Sequence, residues 1–198
     1  MKTKYFSFTP FIDSLFCCLL MLVAIIFFLK IEENKSDSRL QNALYEVILT
    51  WKGESEDDLD LYVQSASGHV VSFNNREGGE GSLISLNHDA LGKARNNTLP
   101  KDANGIVIGF NEEIVSFRGL TKGENIVNVH VYNKKDKAPI EATISLFKIK
   151  PFREVVTKKI TFSTVGEEKT AFRFKTNENG EVLEVNELPA RLLKPLGE

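Results

Sequence analysis

Residues 45–63 read YEVILTWKGESEDDLDLYV. Two strand-like segments, 45–51 and 59–63, flank the acidic turn KGESEDD. The second segment alternates apolar and polar side chains, which is the pattern of a β-strand that packs one face against a core. The stretch therefore predicts two β-strands joined by a short turn.

The same pattern continues to the end of the chain. Further strand-like segments are HVVSF (69–73), EIVSF (113–117), NIVNVHVY (125–132), IEATISLFKI (140–149), VVTKKITF (155–162), TAFRF (170–174) and EVLEV (181–185). Turn-forming Gly, Pro, Asn and Asp residues separate most of them. This spacing predicts an antiparallel β-sandwich over residues 43–188, followed by a C-terminal tail, 189–198. The less regular stretch 83–104 is expected to be a long connection with a short helical turn at HDALGKA (88–94).

The segment NIVNVHVY indicates which strand face meets the core. Alternation places Val127, Val129 and Val131 on one face, and His130 on the opposite, more polar face. The valine face is the natural core face, so His130 is a weak candidate for a metal ligand.

Residues 10–31 form an apolar run of 22 residues, which as a helix would be about 33 Å long. Thr9 and Pro10 suit a helix N-terminus, as N-cap and first helical residue. A cleaved signal peptide fits less well, because the run is longer than its apolar region and no small-residue cleavage site follows. The sequence predicts a short tail (1–9), a single transmembrane helix (10–31) and a polar linker or frayed helix end (32–42).

Composition excludes several classes of function. The chain has 198 residues and a net charge of -2, so no basic surplus predicts a nucleic-acid partner. The only two cysteines, Cys17 and Cys18, lie in the apolar run, which leaves no disulfide for the remainder. His69, His88 and His130 lie in separate segments, and no catalytic motif accompanies them. We expect neither an enzyme nor a bound cofactor, calcium being the one exception considered below.

Asp13 is the one acidic residue in the apolar run. An ionised carboxylate at the centre of a bilayer costs about 2.5–3.5 kcal/mol, so it normally faces protein or an aqueous path. Asp13 shares a helical stripe that suits packing against another helix, with Ser14, Cys17, Cys18, Met21 and Ala24. Two interpretations remain: the carboxylate binds and releases a proton, or it lies at headgroup level and complements the helix dipole.

The segment FTPFIDSLFCCLLMLVAIIF (8–27) resembles the N-terminal segment of the ExbD/TolR family, which has a P-x-x-D motif followed by an apolar span. MotB subunits of flagellar stators share the broader plan. The resemblance implies that Asp13 carries protons and that two copies lie inside a ring of multi-span MotA/TolQ/ExbB-like subunits. It also implies a bacterial inner-membrane location, with the N-terminus in the cytoplasm and the folded domain in the periplasm.

The remainder departs from that family, whose outer domains are α/β units. Instead, WKGESEDDLDLYVQSASGHVVSF (51–73), with LNHDALG (86–92) and NEEIVSFRGL (111–120), resembles YfaP-like β-sandwich domains. That resemblance implies a fold rather than an activity. Together, the two resemblances predict an ion-driven subunit whose β-sandwich engages a cell-envelope or protein partner. The alternative is a membrane-tethered module that recognises protein or glycan, with the helix as anchor only.

A cluster of oxygen-bearing side chains raises the question of a calcium site. Asp57, Asp58 and Asp60, with Asn87 and Asp89, could supply the carboxylate and amide oxygens that calcium prefers, and Asp58, Asp60 and Asp89 are the expected ligands. The spacing is not that of an EF-hand. The alternative is that these side chains cap turns and pair with cations such as Arg76.

Overall fold

The computed structural model describes residues 9–37, 43–92, 103–104 and 109–193. The chain divides into two compact units, Met1–Asn42 and Ala43–Glu198. The first unit contains helix α1, Thr9–Asp37, which includes the range 10–31 and continues into the predicted linker. Within the described part of the chain, no helix combines the length and the apolar composition needed to cross a membrane. The transmembrane span therefore stays a prediction.

The second unit, which we call the β domain, contains ten strands among its described residues. They are β1 Tyr45–Lys52, β2 Asp58–Gln64, β3 Val70–Val71, β4 Ile84–His88, β5 Phe110–Phe117, β6 Gly123–Asn133, β7 Ile140–Lys148, β8 Arg153–Phe162, β9 Glu168–Thr176 and β10 Val182–Asn186. Each strand-like segment of the sequence corresponds to one of them. The prediction of a mainly-β domain is confirmed.

The strands form two five-stranded sheets in a sandwich-like arrangement. Sheet A has the order β4-β5-β1-β7-β8, and sheet B has the order β10-β9-β6-β2-β3. The neighbouring strands pair in the antiparallel direction throughout. β1 lies at the centre of sheet A, between β5 and β7, and β6 lies at the centre of sheet B.

Alternating side chains from both sheets make the core. The inward residues of β1 are almost fully buried, namely Tyr45, Val47, Leu49 and Trp51. Val127, Val129 and Val131 of β6 are fully buried, which confirms the predicted core face. Burying one such apolar side chain contributes roughly 1.5–3 kcal/mol.

Strand β4 was not predicted, because the stretch 83–104 reads as a connection. Ile84 and Leu86 are buried, and the strand pairs with β5. The alternation is only five residues long and its partner strand is distant in sequence, so local pattern alone does not reveal it. The helical turn expected at 88–94 is wrong for residues 88–92, which hold no helix, and 93–94 lie outside the described residues.

The acidic turn between β1 and β2 is an organised part of the fold. The indole Nε1 of Trp51 donates to the carbonyl oxygen of Asp57 at 3.1 Å. The buried carboxylate of Asp57 accepts hydrogen bonds from the backbone N–H groups of Lys135 and Asp136, at 2.7 and 2.9 Å. This side chain therefore fastens the β1–β2 turn to the turn between β6 and β7.

Residues 187–193, which we call the C-terminal strap, lie against sheet B. The N–H of Ala190 donates to Thr170 Oγ1 at 2.9 Å, and its carbonyl accepts from Asn128 Nδ2 at 2.9 Å. The N–H of Leu192 donates to Glu168 Oε1 at 2.8 Å. The sequence predicted a tail from residue 189, whereas 189–193 are held by side chains of β6 and β9; residues 194–198 lie outside the described residues.

Candidate functional site

Asp13 lies near the start of α1, among side chains that are exposed from Pro10 to Ile25. The other members of the predicted stripe are exposed as well, namely Ser14, Cys17, Cys18, Met21 and Ala24. Both cysteines are free thiols. The remaining side chains of this segment are almost all apolar, on every side of the helix.

The β domain contains a cluster of three buried acidic side chains that we call the carboxyl cluster, Asp60, Asp89 and Glu113. Glu113 is on the inward face of β5 and its exposed fraction is 0%. Its Oε2 accepts a hydrogen bond from the backbone N–H of Leu61 on β2, at 2.6 Å. The carboxyl group of one sheet therefore satisfies a main-chain donor of the other.

The carboxyl group of Asp89 is an acidic neighbour of Glu113 and raises the pKa of Glu113. Asp89 Oδ1 and Glu113 Oε1 are both buried, and neither has a hydrogen-bond partner among the described residues. Two carboxyl groups can share a hydrogen bond only if one of them carries a proton, because ionised carboxylates are acceptors only. We infer that this pair holds one proton. The second oxygen of Asp89 pairs with Arg76 Nη2 at 2.5 Å.

Asp60, the third member, faces His130. His130 Nδ1 lies 3.4 Å from Asp60 Oδ2, and both side chains are largely buried. Burial raises the pKa of Asp60 above its ordinary value; the hydrogen bond and charge of His130 oppose that rise, and the charge of Asp89 adds to it. The ring of Tyr62 meets the His130 ring edge-on, with centroids 6.1 Å apart. Burial, followed by the charge of Asp60, raises the pKa of Tyr62 to about 12.

The pKa of Glu113 is raised well above its ordinary value, first because the group is buried. The hydrogen bond from Leu61 lowers this pKa, whereas the neighbouring carboxyl group of Asp89 and the charge of Asp60 raise it. A buried carboxyl group surrounded by acids favours its neutral form. Glu113 is therefore the natural carrier of the proton in the pair.

The calcium prediction receives no support from this arrangement. Asp60 and Asp89 do come together, but each faces a cationic or basic side chain of its own, His130 or Arg76. Among the residues that the structure describes, no group of three or more His, Cys, Asp or Glu side chains could hold a metal ion. Asn87 instead donates to Ser116 Oγ, at 2.6 Å.

The outer face of sheet A carries a groove of about 1080 Å³, which we call the sheet A groove. Its floor includes hydroxyl and charged side chains of β1, β7 and β8, namely Thr50, Glu141, Thr143, Lys159 and Thr161. The loop 136–139 forms one wall, and a hydrogen bond of 2.9 Å from Ser55 Oγ to Asp136 Oδ2 holds it. Phe110 lines the groove with an exposed fraction of 65%. The groove offers one flat apolar ring above a polar floor.

Two of these features were missed in the sequence. The alternation EEIVSF places Glu113 on the same face as Val115 and Phe117, which is the core face. A carboxylate on a core face is unusual, and the sequence does not indicate which residues surround it. The polar floor of the sheet A groove depends on the pairing of β1 with β7, which are distant in sequence. His130 was correctly placed on the polar face of β6.

Comparison with known proteins returns no relative. No family model, no curated protein and no solved structure matches the chain. The resemblances to the ExbD/TolR and MotB families and to YfaP-like domains therefore stay predictions. Function has to be argued from the residues themselves.

Proposed function

We propose that the chain is a single-pass bacterial inner-membrane subunit of an ion-driven complex, in which Asp13 carries protons. The observation that supports this most is the position of Asp13 as the one charged side chain among the exposed, mainly apolar side chains of residues 10–25. In this proposal the β-sandwich is periplasmic and engages a cell-envelope or protein partner. The N-terminus is cytoplasmic.

The chemistry of the proposal follows from the cost of charge in lipid. Exposed apolar side chains on all sides of α1 suit lipid tails, but an ionised Asp13 does not. Contact with a multi-span partner and its aqueous path would let the carboxylate lose its proton there and regain it elsewhere. The stripe that includes Cys17 and Ala24 is narrow enough for close packing against such a partner. Two copies per complex are expected, as in the families that this segment resembles.

Replacing Asp13 with asparagine tests the proposal. Asparagine has nearly the same shape but cannot ionise, so we expect proton flux to fall at least tenfold, to background. The measurement is proton uptake by liposomes that contain the chain and its co-purified multi-span partner, with a pH-sensitive dye. Asp13→Glu should retain part of the flux, and Leu15→Ala, a change outside the stripe, should retain all of it. Full flux in an assembled Asp13→Asn complex would contradict the proposal.

A second candidate function is a membrane-anchored binding module, and the sheet A groove favours it. The exposed ring of Phe110 beside threonine hydroxyls and Glu141 suits a sugar ring, whose apolar face stacks on an aromatic plane while its hydroxyls form hydrogen bonds. Here the helix acts only as an anchor. Replacement of α1 by an unrelated membrane anchor would then leave the activity intact.

Phe110→Ala is the corresponding test. Phe110 is exposed, so we expect the stability of the domain to change little, while binding of a soluble cell-wall glycan fragment weakens at least tenfold. Isothermal titration calorimetry measures this binding. Phe152→Ala is the matched control, because Phe152 has an exposed fraction of 73% and lies outside the groove, stacked on Phe147. Equal loss in both variants, or unchanged binding in Phe110→Ala, would remove the groove from consideration.

A further inference from the structure

Strand β8 has a free edge. It is the last strand of sheet A, and among the described residues only β7 pairs with it. Lys169 Nζ donates to the carbonyl oxygen of Thr161 at 2.7 Å, which indicates that this carbonyl points away from β7. The N–H and C=O of one strand residue point to the same side, and every second residue repeats the direction. The main-chain groups of Lys159 therefore face the free edge too.

A groove of about 630 Å³ follows this edge, and we call it the β8 groove. Residues 158–161 of β8 form one side, residues 168–170 of β9 form the floor, and the C-terminal strap forms the other side. The strap is fixed in place by its hydrogen bonds to Thr170 and Glu168. Four residues of β8 span about 13 Å at roughly 3.3 Å per residue, a length that suits an extended peptide segment.

The lining of the β8 groove is positively charged. Lys158 pairs with Glu187 at 2.5 Å, and Lys169 pairs with Glu167 at 2.8 Å. Lys159 and Arg191 also line the groove, and neither has an acidic partner among the described residues. Glu168 lines the groove as well, so four cationic and two acidic side chains leave a net positive charge beside the edge main-chain groups of β8.

Lysines on an edge strand commonly prevent sheets from pairing with each other. That role explains why a second copy of this chain is a poor occupant, since two β8 strands side by side would bring Lys158 and Lys159 close to their counterparts. That role does not account for the groove that the C-terminal strap forms beside β8. An acidic strand, in contrast, would satisfy both the charges and the main-chain groups.

We propose that an acidic, extended segment of a partner protein binds in the β8 groove as an added strand of sheet A. Its main chain exchanges hydrogen bonds with the edge groups of Lys159 and Thr161, and its carboxylates meet the side chains of Lys159 and Arg191. This interaction is independent of proton transfer at Asp13. The Asp13→Asn variant should bind such a segment as the wild type does.

The charge part is tested with the full-length chain and a fluorescein-labelled decapeptide of alternating glutamate and valine. Fluorescence anisotropy should report binding, and a peptide with lysine in place of glutamate should not bind. The double variant Lys159→Glu, Arg191→Glu should weaken binding at least tenfold. The control Lys122→Glu, Lys137→Glu makes the same charge change outside the groove and should leave binding unchanged. Equal loss in both double variants would reduce the interaction to general attraction and overturn the proposal.

The strand part is tested by comparing Lys159→Ala with Lys159→Pro. Both remove the ammonium group, but only proline removes the edge N–H, and proline is tolerated on an edge strand. We expect a few-fold weakening for alanine and no binding for proline. The fluorescence of Trp51 verifies that each variant is folded. As a second measurement that needs no variant, a decapeptide N-methylated at alternate residues should not bind. If the N-methylated peptide or the proline variant binds as well as its counterpart, no strand is added.

Discussion

Replacing Glu113 with alanine is expected to lower the free energy of unfolding of the β domain by about 2–4 kcal/mol. The variant leaves the N–H of Leu61 without an acceptor and removes the carboxyl group next to Asp89. It also creates a cavity at a fully buried position between the two sheets. The loss is large for an acidic residue because this carboxyl group is in the core.

Urea denaturation followed by tryptophan fluorescence measures the effect. The chain has one tryptophan, and Trp51 is buried in the β domain, so its emission reports the unfolding of this domain in the full-length chain. Glu113→Gln is the matched control. Glutamine can accept from Leu61 and donate to Asp89, so its stability near neutral pH should lie within about 1 kcal/mol of the wild type. If alanine is as stable as glutamine, the carboxyl group does not join the two sheets.

The same carboxyl group should make stability depend on pH. The pKa of Glu113 is raised well above its ordinary value in the folded state, so the folded state keeps a proton that the unfolded state releases. Stability is then greatest at acidic pH and falls as the pH rises from about 4.3, the unfolded value, towards the folded pKa. The slope is about 1.4 kcal/mol per pH unit for one proton. Asp60, whose pKa is also raised, contributes in the same direction.

A series of denaturation curves between pH 4 and pH 8 checks this prediction. The charged and basic groups that face Glu113 and Asp60 are Asp89, Arg76 and His130, and they are the same in both variants compared. The wild type should lose stability across this range, whereas Glu113→Gln should show a distinctly smaller loss. A wild-type stability that increases with pH would mean that the carboxyl group is ionised and that the proton assigned to the pair is absent.

The strands were predictable because their alternation is local. In β6 and β1, apolar side chains on every second residue indicate the strand and its core face. These side chains are almost fully buried in the structure. β4 was not predicted, because its five residues are too few to show a clear alternation and form a strand by pairing with β5. The C-terminal strap was not predicted for a different reason. Ala190 and Leu192 are held by hydrogen bonds to side chains, and such bonds leave no periodic pattern in the sequence.

The carboxyl cluster was only partly predictable. Asp60 and Asp89 were identified as acidic candidates, but the sequence paired them with Asp58 as calcium ligands. Their actual neighbours, Glu113 and His130, come from other strands. Strand pairing joins Asp60 to His130, and the packing of the two sheets brings Glu113 to β2, so the sequence pattern alone does not identify these neighbours.

The central position of β1 determines how the β domain would respond to mechanical load. The strand is paired along its length with β5 on one side and with β7 on the other. A force that enters at Tyr45 and acts along the strand loads both hydrogen-bond ladders in shear, because their bonds lie perpendicular to the pull. Many bonds must then rupture together, whereas a force directed across an edge strand such as β10, which has one ladder only among the described residues, would peel its bonds away one at a time. The strand that follows the N-terminal unit is thus the one best placed to carry tension without unfolding.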